Sequence, residues 1–185
     1  MELYLAIALG TLFGFALNRA GATNPENIIN MLRFTDLRLM KTILFAIGLS
    51  SIVLFSGLKL GFIDAGHISI KAAYLGVVAG GALLGVGFAI AGYCPGTGLA
   101  ALATGRKDAL FFVLGGFAGA FAFTLAYGWL KANTSLFDSI LGGKVSLAET
   151  GSKYEHLIAI DGTMLGILLG LAFIGIAIAV PKSLR

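Results

Sequence analysis

Residues 92–98 read Gly-Tyr-Cys-Pro-Gly-Thr-Gly (GYCPGTG) and fall within an uncharged run from Ala72 to Gly105. Glycine and proline at this density break a helix. A bilayer core of about 30 Å takes roughly 17 to 25 apolar residues in one helical pass. The run is therefore too long for one span, and the break divides it. A span near 72–91 comes first, and a short half-helix over Thr97–Thr104 follows.

The rest of the chain is of the same kind. Of its 185 residues, 58% are hydrophobic and 12% charged, against about 25% charged in an ordinary soluble domain. Further uncharged stretches run from Leu3 to Asn18, Thr42 to Leu58, Ala109 to Leu130 and Gly162 to Pro181. Each fits one pass. The expectation is an all-α integral membrane protein with about five transmembrane helices and two short re-entrant half-helices. The first stretch follows Met1-Glu2, with no basic leader, and reads as a retained span. With 27 glycines, close helix packing is expected at Gly-x-x-x-Gly spacings.

The chain also reads as an internal repeat. In GTLFGFALNRAG and GALLGVGFAIAG, Gly10, Leu12, Gly14, Ala20 and Gly21 match Gly81, Leu83, Gly85, Ala91 and Gly92 without a gap. Each copy then meets a proline-containing break, ATNPEN or YCPGTG, followed by a short apolar stretch, charge and another span. The organisation expected is one membrane domain over 1–185. Repeat A covers about 3–60, repeat B about 72–130, an outer loop 131–160 and a last span 161–181. With five spans both copies run in the same direction, which makes them parallel repeats.

Charge sets the orientation. Arg19, Arg33, Arg38, Lys41, Arg106, Lys107, Lys182 and Arg185 share one side, and short basic loops favour the cytoplasm. The amino terminus is expected outside and the carboxyl terminus in the cytoplasm. The formal charge of +4 comes from helix ends, so no nucleic-acid partner is expected; membrane lipid is. A lone cysteine forms no internal disulfide. No paired carboxylates lie in the spans, and no phosphate-cradling loop or hydrolytic constellation is present. The reading is non-enzymatic, without cofactor or metal. His67 and His156 fall in outer-side segments without metal-ligand spacing.

Irregular backbone at membrane depth is tolerated inside protein or beside a wet cavity, and transporters use half-helix amino ends to face substrate. The candidate binding residues are Cys94, Pro95, Gly96 and Thr97 in the second break, with Thr23 and Asn24 in the first. Backbone donors, hydroxyls and one soft thiol suit a small anion. A neutral thiol is the useful form for carrying an anion, because a thiolate would repel it. Arg19 reads mainly as a residue snorkelling to the interface. Arg106 and Lys107 read as topology anchors.

GTLFGFALNRAGATNPENI and LLGVGFAIAGYCPGTGLAALATG resemble the YeeE/YedE family of sulfur-compound membrane transporters, over residues 5 to about 130. The chain is similar to the short, half-size members. The resemblance implies inner-membrane uptake of a sulfur anion, most of all thiosulfate, with the motif cysteine carried onto Cys94 as a transient waypoint. It implies a homodimer or a sister chain of the family as partner. The first break departs from the pattern, having no cysteine. Two alternatives stand beside this reading. One is a persulfide relay working with a soluble sulfurtransferase, and the other is a non-conducting subunit of a two-chain transporter.

Overall fold

A computed structural model of the chain describes residues 2–64, 71–139, 144–149 and 155–183. The described residues form seven α-helices and one strand pair: α1 (Glu2–Arg19), α2 (Pro25–Leu32), α3 (Arg38–Lys59), α4 (Leu75–Ala91), α5 (Pro95–Ala103), α6 (Lys107–Asn133), β1 (Val145–Glu149), β2 (Glu155–Asp161) and α7 (Gly162–Ala179). The strands pair in parallel, with Ala148 opposite Ile158. His67 lies outside the described residues, and His156 sits on β2 with its side chain outside them.

The protein is all-α in its membrane part. Among the described residues four stretches are long and apolar enough to cross a bilayer: α3, α4 with α5 (Leu75–Ala103), α6 and α7. The expected first span is helical as α1, but Glu2, Asn18 and Arg19 occupy its ends, and it is not one of the four. Leu83, Phe111 and Phe121 are 67–75% exposed on these helices. Such side chains suit lipid, where an apolar neighbour costs nothing.

The chain forms two compact units. The first contains residues 1–39, 81–132 and 182–185, and so holds both breaks and both short helices. α1 ends where Gly21 turns left-handed at φ +75°, and α4 ends where Gly92 does so at +68°. α2 and α5 each open on a proline, which lacks the N–H that a first helical position leaves unpaired. The corners that close them share two backbone hydrogen bonds at one constant offset. Phe34 N–H donates to the Met31 carbonyl and Gly105 N–H to that of Leu102. Thr35 N–H donates to Asn30 O and Arg106 N–H to Ala101 O. Phe34 and Gly105, at φ +57° and +83°, make the same left-handed exit.

In the second unit, residues 40–80 and 133–181, α3 packs closely on α7. A Cβ on Gly170 would fall 2.8 Å from Gly48 O and 2.7 Å from Ile52 Cγ1. Ser51 Oγ donates to Gly166 O at 2.8 Å. Close approach through glycine therefore occurs here. At Gly10, Gly14, Gly81 and Gly85, where the spacing predicts it, a Cβ would meet nothing within 4 Å, so that expectation is corrected. Gly10 and Gly14 instead line an open groove.

Candidate functional site

The second break is built by Gly92 and its neighbours. A Cβ on Gly92 would lie 2.8 Å from Pro25 Cβ, so the left-handed turn and the approach of α2 both require glycine there. Cys94 is extended at φ −89°, ψ 165° and caps α5. Its Sγ accepts from the Thr97 N–H at 3.4 Å, and Thr97 Oγ1 accepts from the Cys94 N–H at 2.9 Å. The pair forms a capping box with sulfur as one acceptor. Thr97 is buried, Cys94 is half-buried, and Pro95 and Gly96 are exposed.

This cap narrows the set of free donors expected at the half-helix. Pro95 has no N–H, that of Thr97 goes to sulfur, and that of Gly98 goes to the Cys94 carbonyl at 2.9 Å. Gly96 N–H is the first-turn donor left over among the described residues. Gly96 also lines a groove of about 640 Å³ between α1 and α5, whose other walls include Gly10, Gly14, Asn18, Ala100 and Thr104. The small residues leave this space open. The sulfur cap uses acceptor capacity only, so the S–H remains able to donate.

At the first break, Asn24 caps α2 by accepting the Glu26 N–H at 3.2 Å, and the buried Thr23 hydroxyl donates to Asn18 Oδ1 at 2.9 Å. The two breaks meet through Gly92 and Pro25. Among the described residues no hydrogen bond joins Thr23 or Asn24 to Cys94 or Thr97.

The sulphur transport family matches residues 19–185. The chain belongs to this family, the YeeE/YedE transporters. Two probable transporters of Xylella fastidiosa, from strains Temecula1 and 9a5c, are each 33% identical to it over 117 residues. The match spans 59% of the chain in both cases, and 79% and 80% of the two relatives. No solved structure matches. The chain is thus a multi-pass membrane protein of a sulfur-compound transporter family.

This family member fixes its cysteine loop with residues that sequence reasoning missed. Tyr93, 2% exposed, donates through its hydroxyl to Asp108 Oδ2 at 2.8 Å. Arg106 holds the same carboxylate through Nη2 at 2.9 Å and Nε at 3.1 Å. The Asp108 hydrogen bonds raise the Arg106 pKa above its ordinary value. Arg106 is therefore engaged in a clamp rather than free to steer an anion. The Tyr93 ring lies 5.5 Å from that of Phe112, beside Ala101 and Ala109. The signal was present as an aromatic in the break and an Arg-Lys-Asp run after α5.

Proposed function

We propose that this chain takes up a small sulfur-containing anion, thiosulfate foremost, across the inner (plasma) membrane, with Cys94 as a transient waypoint. The observation that carries the reading is the α5 amino end: Gly96, its spare N–H donor, opens on the α1–α5 groove, one turn residue away from a thiol whose S–H is not used by the cap. Passage needs weak, successive contacts rather than a deep trap. A neutral S–H and a single N–H supply contacts of that strength. Cys94, Pro95, Gly96 and Thr97 form the binding turn, and Thr23 and Asn24 shape the opposing break. The short helices are re-entrant halves of a duplicated unit, with the amino terminus outside and the carboxyl terminus in the cytoplasm.

The chain acts as a homodimer or beside a sister chain of its family. A relay reading, in which Cys94 carries a persulfide to a soluble sulfurtransferase, needs the sulfur itself. In a third reading the chain is a non-conducting subunit.

Uptake of labelled thiosulfate by cells lacking their own sulfate and thiosulfate importers tests this. Transport by wild type, retained in part by Cys94→Ser and largely lost in Cys94→Ala, is the expected pattern. Complete loss in Cys94→Ser favours the relay. Equal uptake by all three, at matched membrane expression, removes Cys94 from the path.

A further inference from the structure

Among the described residues no charged side chain lines the groove of about 640 Å³ between α1 and α5. Its polar side chains are Thr11, Asn18 and Thr104, and Gly96 adds a backbone N–H. A hydroxyl has one proton to donate. That of Thr11 goes to the Ile7 carbonyl and that of Thr104 to the Ala101 carbonyl, each at 2.7 Å. Both threonines therefore present lone pairs to the groove and no proton.

Asn18 is different. Its Oδ1 accepts the Thr23 hydroxyl proton at 2.9 Å. Thr23 is 7% exposed, and a hydroxyl so buried requires an acceptor. That requirement fixes which end of the Asn18 carboxamide turns to Thr23. Nδ2, with its two N–H groups, is left without a hydrogen-bond partner among the described residues, on an exposed side chain that lines the groove. The turn itself closes through its backbone, by Gly21 N–H to Asn18 O and Ala22 N–H to Leu17 O, both at 3.0 Å. What the side-chain bond contributes in addition is the orientation of an amide.

An amide donates to the oxygens of an anion without placing a charge on its route. In a groove walled mainly by apolar side chains and glycine, a guanidinium or ammonium would hold an anion hard. Passage needs weaker and successive contacts. Asn18 on α1 and the Gly96 N–H on α5 offer neutral donors from two walls of one groove.

We propose that Asn18 is a substrate-contacting residue, its Nδ2 amide donating to the oxygens of a small oxyanion in the α1–α5 groove, and that Thr23 is the positioning residue that keeps the amide turned to the substrate. This inference rests on the anion-uptake reading for its substrate class. It requires neither that the anion be thiosulfate nor that Cys94 be a waypoint.

The test uses the purified full chain, in nanodiscs for equilibrium dialysis and in liposomes for uptake, with labelled thiosulfate, sulfate and nitrate as probes. Variants are Asn18→Leu, Asn18→Asp, Thr23→Val and Thr23→Ser, with unfolding midpoints checked for each. Asn18→Leu should weaken binding and raise KM about tenfold, the scale of a lost hydrogen bond to a charged group. Asn18→Asp keeps the size but sets a carboxylate against the anion, and should lose uptake altogether. Thr23→Val should raise KM about threefold at an unchanged maximal rate, and Thr23→Ser, which retains the hydroxyl, should keep the wild-type KM. A Thr23→Val protein with a lower unfolding midpoint and a wild-type KM overturns the positioning role. Wild-type binding of sulfate or nitrate but not thiosulfate, weakened by Asn18→Leu, supports this inference and overturns thiosulfate as the substrate. Folded Asn18→Leu and Asn18→Asp proteins that bind and carry the probes as wild type does overturn the inference while the uptake reading stands. A wild-type protein that binds none of the three overturns both.

Discussion

Gly92 is seated against Pro25: an added Cβ would stand 2.8 Å from Pro25 Cβ and 3.0 Å from the Pro25 carbonyl oxygen. One break is thereby keyed to the other through a position where no side chain fits. Because Gly92 is also left-handed, Gly92→Ala incurs a backbone and a steric penalty together. The expected loss is about 2–4 kcal/mol, read as a lower unfolding midpoint in detergent. An unchanged midpoint would mean the contact yields freely.

Gly96→Ala is the matched contrast. A Cβ there meets nothing within 4 Å, so the unfolding midpoint should stay close to wild type. The added methyl projects beside the one spare N–H of the α5 amino end. Thiosulfate uptake should fall several-fold while stability holds, and the two assays run on one preparation check this.

Cys94→Ser and Cys94→Ala should part in stability as well as in transport. Serine is a strong N-cap and keeps an acceptor for the Thr97 N–H, whereas alanine leaves it unmet. The alanine variant should be less stable than serine by about 1 kcal/mol. Chemical denaturation of the three proteins in one detergent decides it.

Tyr93→Phe removes the hydroxyl that anchors the loop to Asp108 and leaves the ring packing on Phe112 intact. A net loss of about 1 kcal/mol is expected, the usual worth of one hydrogen bond. Thiol labelling of Cys94 should quicken as the loop loosens. Unaltered labelling would show that packing alone holds it.

Asp161 caps α7 through the Thr163 hydroxyl and backbone N–H, at 2.6 and 2.9 Å, and these bonds lower its carboxyl pKa. A group depressed in the folded state stabilises above its unfolded value, about 3.9. That contribution disappears as pH falls through the lower folded value. Amide protection at the start of α7, measured relative to the intrinsic exchange rate, should therefore fall in acid below about pH 4, and Asp161→Asn should remove the effect.

Much of this was legible in the sequence because apolar length and proline-glycine breaks are one-dimensional signals. The Ala72–Gly105 run, its division at GYCPGTG and the short helix beyond it could be read from residue order alone. The first helix was harder, since its polar ends decide whether an 18-residue segment counts as a span. The glycine spacings misled because a Gly-x-x-x-Gly face shows that a neighbour can come close, not that one does. Gly48 and Gly170, far apart in the chain, make the contact that Gly10 and Gly14 do not. The Tyr93–Asp108–Arg106 clamp was hidden for a related reason: a surface charge pair reads as a topology anchor until a buried hydroxyl is seen to reach it.

The two corners share two backbone hydrogen bonds and a left-handed exit and differ in side chains, which gives the chain an internal reference. At the two helix caps one copy carries sulfur where the other carries an amide. Asn24→Cys and Cys94→Asn ask what each capping group contributes in the other copy's setting.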